Sequence, residues 1–182
     1  MHRYLLAVLF ALGPAIAAAQ PAVEPRIVEE RRWSITPFLG PGWGDDLDES
    51  PLTFGVASAY TWSPRVAFEG EFSYGAFEEE LFGIDESVWT LSANALYHFA
   101  VRELAPYATA GLGVVRRTAD LDTAVGDLDT ADTGFALNFG AGAKAHLTDR
   151  VTLGGDLRYF AASGDAPNLW RFYGGLTFML GR

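Results

Sequence analysis

No cysteine occurs among the 182 residues. That excludes a disulfide framework and a lipidated N-terminal cysteine. Basic side chains are scarce: 13 Lys and Arg stand against 23 Asp and Glu, a net charge of −10. Binding to phosphate backbones draws on basic side chains, so this balance argues against a nucleic-acid partner. Beyond the N-terminal region, no uninterrupted apolar run approaches the roughly 20 residues that a membrane-spanning helix needs. Membrane helices are thereby excluded; membrane strands are not.

The first 19 residues differ from the rest. His2 and Arg3 precede an apolar run that is interrupted by Pro14 and ends in Ala17, Ala18 and Ala19. A positive start, a short apolar stretch and small residues at its end describe a cleaved secretory signal peptide over residues 1–19. Pro14 and the shortness of the run count against an anchor. Residues 1–19 contain no twin arginine, so the general secretion route is expected. Without Arg3 the mature chain holds 12 basic and 23 acidic side chains, a net charge of −11.

Alternation replaces the missing helical pattern. In residues 66–76, Val66, Phe68, Phe72 and Tyr74 share one face, opposed to Ala67, Glu69, Glu71, Ser73 and Gly75. Successive side chains of a strand point to opposite faces, so a period of two predicts a strand. Residues 52–62 set Phe54, Val56, Tyr60 and Trp62 on one face. Residues 88–99 oppose Trp89, Leu91, Ala93, Ala95, Tyr97 and Phe99 to Thr90, Ser92, Asn94 and His98. Residues 135–146 oppose Phe135, Leu137 and Phe139 to Asn138, Lys144 and His146. Residues 151–159 oppose Val151, Leu153, Leu157 and Tyr159 to Thr152, Asp156 and Arg158. Residues 170–180 oppose Trp170, Phe172, Leu176, Phe178 and Leu180 to Arg171, Tyr173 and Thr177. Two weaker segments, 33–43 with Pro37 and Pro41, and 105–116 with an undetermined phase, bring the count to eight strands of about ten residues. That length suits a tilted membrane strand.

The connections are of two kinds. Residues 63–65, 100–104 and 147–150 are short and carry Arg65, Arg102 and Arg150. Residues 44–50, 77–87, 117–133 and 161–168 are longer and hold four, five, five and one acids, 15 of the 23 in the chain. In a meander, alternate connections emerge at opposite ends, and short turns at one end with long loops at the other is an outer-membrane layout. Trp62, Tyr97, Phe99 and Phe178 fall near the short-turn end, and Trp43, Trp89, Tyr159 and Trp170 near the other. Two aromatic belts fit two membrane interfaces. A soluble barrel would place apolar groups inside and charges outside. Here the charges keep to one face and the large apolar groups to the other. The expected fold is an all-β, eight-stranded antiparallel up-and-down transmembrane β-barrel over residues 33–182, preceded by a short periplasmic segment over residues 20–32.

Residues 106–114 (PYATAGLGV), 138–160 (NFGAGAKAHLTDRVTLGGDLRYF) and 173–180 (YGGLTFML) resemble the small eight-stranded outer-membrane barrels related to the transmembrane domain of outer membrane protein A, the opacity proteins and their porin-like relatives. The resemblance implies the outer membrane of a Gram-negative bacterium, contact with membrane lipid and lipopolysaccharide, and insertion by the barrel assembly machinery. The sequence departs from the family pattern in having its last aromatic, Phe178, near the C-terminus rather than at it, and no following peptidoglycan-binding domain is expected.

By this alternation the inward face holds Glu69, Glu71 and Asp156 against Lys144, Arg158 and Arg171. Buried charges must be matched, and an eight-stranded barrel is just wide enough for side chains to fill it. The expectation is a monomeric barrel with a plugged polar lumen and a structural or surface-interaction role; the alternative is a narrow porin-like channel for small solutes or ions. Catalysis is not expected. His98 and His146 fall at the short-turn end, and Ser163 has no histidine nearby. No cofactor is implied.

The most acidic connection contains ADLDTAVGDLDTAD, residues 119–132, with D-L-D-T-A twice. Asp120, Asp122, Asp127 and Asp129 around Gly126 resemble an oxygen-rich cation loop. The twelve-residue calcium pattern with its terminal glutamate is missing. Weak, diffuse cation binding by a solvated loop is therefore expected, with no ordered metal site.

Overall fold

The computed structural model describes residues 32–44, 52–79, 84–101, 103–123 and 126–181. The proposed signal peptide and nearly all of the 20–32 segment lie outside them. Eight antiparallel strands close into a barrel in chain order: β1 (Trp33–Gly44), β2 (Leu52–Ser63), β3 (Val66–Glu79), β4 (Ile84–His98), β5 (Leu104–Thr123), β6 (Gly126–His146), β7 (Val151–Ala162) and β8 (Leu169–Leu180).

One ladder defines the geometry. From Trp43 the paired residues run Trp170, Tyr159, Phe139, Ala110, Ala95, Phe68, Tyr60 and back to β1 at Trp33. The circuit returns ten residues lower on β1. Strands of such a barrel tilt by about 35–45° to its axis, so ten residues at about 3.3 Å each rise roughly 25 Å. That is the height of the apolar band of an outer-membrane barrel. Trp33 and Trp43 stand at its two limits.

Leu39, Phe54, Leu91, Leu112, Leu137, Phe139 and Phe172 all point outward and are exposed, while Ser34, Ser73, Thr90, Asn94, Asn138, Thr152 and Thr177 are buried inside. The eight belt aromatics lie on the outward face, with Trp62 and Phe99 the most exposed among them, at 58% and 60%. The short turns are tied locally. Ser63 Oγ accepts the Val66 N–H at 3.2 Å, and Thr148 Oγ1 accepts the N–H groups of Arg150 and Val151 at 3.2 and 3.0 Å.

Three expectations require adjustment. Pro37 and Pro41 leave β1 intact but interrupt its ladder with β8, whose partners skip from Ile35 to Phe38 and from Leu39 to Gly42. Proline has no N–H to donate, so the seam has gaps where the prolines stand. The phase of β5 is now fixed: Ala105, Tyr107, Thr109 and Val115 are buried, so Pro106, Leu112 and Arg116 face outward. Finally, residues 117–133 are mostly strand rather than loop. β5 and β6 run 20 and 21 residues and pair as far as Thr123 with Gly126. β3 and β4 likewise extend to Glu79 paired with Ile84. Acidic composition suggested solvated loops, and continued backbone pairing with a neighbouring strand overrides that preference.

Candidate functional site: the lumen

β3, β7 and β8 bring the inward charges together. Arg158, buried completely, lies on β7 and faces three carboxylates. Its Nη1 is 2.9 Å from Glu71 Oε2 and 3.3 Å from Glu69 Oε1, and its Nε is 3.2 Å from Asp156 Oδ1. Arg171 on β8 donates from Nη2 to Glu71 Oε1 and from Nη1 to Ser73 Oγ, the latter at 2.7 Å. Glu71 therefore bridges both guanidinium groups. Asn94 Nδ2 donates to Glu69 at 3.2 Å, and the Tyr107 hydroxyl donates to Asp156 at 2.7 Å.

Aromatic faces complete the surroundings of Arg171. Its guanidinium lies 5.0 Å from the ring centre of Phe38 and 5.2 Å from those of Phe160 and Tyr173. Phe38 and Tyr173 stack at 4.3 Å. A cation is attracted to such faces, most strongly where water is excluded.

Five of the six residues singled out as the lumen network, Glu69, Glu71, Asp156, Arg158 and Arg171, are thus in one connected cluster. Lys144 stands apart. Among the described residues it makes no ion pair, and its Nζ lies 5.4 Å from the ring centre of Tyr107. Asp120, Asp122, Asp127 and Asp129 fall in the outer part of β5 and β6, where the backbone pairs Asp120 with Asp129 and Asp122 with Asp127. Their side chains lie outside the described residues.

The sequence reading missed the apolar part of the lumen. Val88, Val115, Ala136, Phe160 and Leu169 form a buried cluster toward the long-connection end. Ala67, Leu96 and Tyr107 form another toward the short turns. Strict alternation carried past Tyr159 would have turned Phe160 inward, and past Ala95 it would have done the same for Leu96. Tyr107 could not be found, because its strand had no readable phase. Two small cavities flank the charged cluster. One of about 30 Å³ lies between Ser73, Arg171 and Phe160, and one of about 10 Å³ between Glu69, Lys144 and Tyr173.

A closed antiparallel barrel that is apolar outside and charged inside is a transmembrane barrel, because only closure satisfies every strand's backbone groups in lipid. Residues 5–179 match the outer membrane protein beta-barrel domain family, and the chain belongs to that family. No curated protein matches it in sequence. Solved structures with the same fold include the N-terminal β-barrel domain of Pseudomonas aeruginosa OprF, with 20% identity, TM-score 0.57, and coverage of 83% of this chain and 98% of that one. Neisserial surface protein A has 15% identity, TM-score 0.64, and coverage of 81% and 96%. Ail of Yersinia pestis, solved in complex with the heparin analogue sucrose octasulfate, has 20% identity, TM-score 0.59, and coverage of 83% and 99%. At these identities the likeness is one of fold.

Proposed function

We propose that the protein is a monomeric, non-catalytic outer-membrane barrel of a Gram-negative bacterium, with a closed lumen and a structural or surface-presenting role. Residues 1–19 direct export, the assembly machinery inserts the barrel, and the long connections face outward from the cell. The observation that carries the closed lumen is the buried charged cluster inside it. The Arg158–Glu71–Arg171 cluster spans β3 to β8 and is bounded by an apolar cluster on each side. Conducting ions would have to break these buried pairs. The alternative of a narrow channel rests on the two flanking cavities. At about 30 and 10 Å³ they hold only a few waters.

The acid-rich connections support a surface role of particular sign. Their 15 carboxylates would repel a polysulfate of the kind found with Ail. A cationic partner or diffuse divalent cations fit them better, including at Asp120, Asp122, Asp127 and Asp129. Single-channel recording in planar bilayers tests the closed lumen. The expected result is a quiet bilayer with folded protein inserted. Stable unitary steps from the wild-type protein would establish the channel instead.

A further inference from the structure

Among residues whose side chains are described, one charged group faces outward from the strands: Arg116 on β5. Its neighbour Val115 is completely buried, which fixes the outward direction of Arg116. Arg116 is exposed and makes no hydrogen bond or ion pair with a described residue. An unpaired charge on a lipid-facing wall is poorly tolerated at the membrane centre and well tolerated at the interface. The register puts Arg116 at the interface, opposite the belt residue Trp89 on β4.

Its surroundings are polar on one side and apolar on the other. Thr133 on β6 is its direct partner, and one step further from the membrane Ser87 on β4 pairs with Thr118 on β5. All three hydroxyl residues share the outward face with Arg116. Direct cross-strand neighbours have Cβ atoms about 4.5–5.5 Å apart and diagonal ones about 7–8 Å, within reach of an arginine side chain. On the membrane side lie Trp89, Val114 and Phe135.

We propose that Arg116, with the hydroxyls of Ser87, Thr118 and Thr133, binds the phosphate of an outer-leaflet lipid, a phosphorylated lipid A. A guanidinium presents paired N–H donors that match phosphate oxygens, and hydroxyls supply further donors. The apolar floor of Trp89, Val114 and Phe135 selects a phosphate that carries acyl chains over a free anion, because only burial of the acyl chains offsets the repulsion that any anion meets from the acidic connections. The assignment rests on the proposed orientation with the long connections outside.

Native mass spectrometry of the folded, detergent-purified protein, exposed to lipid A with and without its phosphates, tests this. Wild-type protein should retain one equivalent of phosphorylated lipid A and not the dephosphorylated form. Arg116→Gln should lower retention about tenfold, the loss of one charge-assisted contact, with Arg116→Lys intermediate. Thr133→Val should weaken it less. Arg150→Gln, in a short turn at the opposite end, should match wild type and so exclude a general charge effect. Equal retention by wild type and Arg116→Gln, or of the two lipid A forms, overturns the site. Displacement by inorganic phosphate in place of lipid overturns the choice of ligand. Failure of wild-type protein to fold into bilayers would strike the membrane reading itself, whereas a heat-modifiable, folded barrel without selective retention removes the site alone.

Discussion

Replacement of Glu71 by alanine is the most informative perturbation of the lumen. Glu71 is 1% exposed and, among the described residues, is the one carboxylate in contact with both Arg158 and Arg171. Without it, Arg158 keeps Glu69 and Asp156, but among the described residues Arg171 keeps only Ser73 and three aromatic faces. Removing one partner of a buried pair costs about 3–5 kcal/mol, because the remaining charge stays buried. Glu69→Ala is the internal comparison. It removes one of three carboxylates around Arg158, which keeps Glu71 and Asp156, so a cost of about 1–3 kcal/mol is expected. A volume-matched apolar pair, Glu71→Leu with Arg171→Met, removes both charges and should recover most of the loss, since apolar replacements of buried pairs are often neutral or stabilising by about 1–4 kcal/mol. Urea titration of folding into lipid vesicles, followed by heat-modifiable gel migration, measures all three. A Glu71→Ala cost below about 1 kcal/mol, or one equal to that of Glu69→Ala, would refute the bridging role.

Depth within the membrane gives a second test on β7: Leu157→Arg should cost about 2–4 kcal/mol, whereas Leu153→Arg, two residues from the start of the strand, should cost about 0–1 kcal/mol in the same folding titration. Tyr107→Phe removes the hydroxyl that donates to Asp156 and should cost about 1.5–3 kcal/mol by the same assay. Gly111→Ala would drive its methyl into Asn94 Oδ1 and the Ala93 carbonyl, at a cost of about 1–3 kcal/mol, while Gly70→Ala meets nothing and should be neutral or stabilising by up to about 1 kcal/mol. Calorimetry with calcium should give weak, non-saturating heats that change little in Asp120→Asn with Asp127→Asn; a single tight site lost in that variant would contradict diffuse binding.

Lipid makes the outward face readable. It requires an apolar group at every second position, so Phe68 and Phe72, or Leu153 and Leu157, reveal their strands without any tertiary information. The inward charges of β3, β7 and β8 follow from the same phase. β5 resists this reading because Ala108, Ala110, Gly111 and Gly113 suit either face, which hid Tyr107 inside and Arg116 outside. The aromatic lumen residues are a different case. Phe38 sits between two prolines, and its inward turn becomes visible only once Tyr173 is found stacked on it. The length of β5 and β6 was illegible because acidity reports solvation, and a paired strand above a membrane is as well solvated as a loop.

The unequal strands make the barrel lopsided. Pairing of β6 with β7 begins at Ala136, while its pairing with β5 continues outward to Gly126. Seven residues separate Arg116 from Thr123, which lifts the end of β5 roughly 18 Å above the level of Arg116. The β7–β8 flank has no such rise. With the long connections outside, an approaching antibody or phage would therefore meet the β5–β6 extension before the other described strands. An epitope inserted between Thr123 and Gly126 should be stained on intact cells with long sugar chains, and the same epitope between Ser163 and Asn168 only on cells whose sugars have been trimmed.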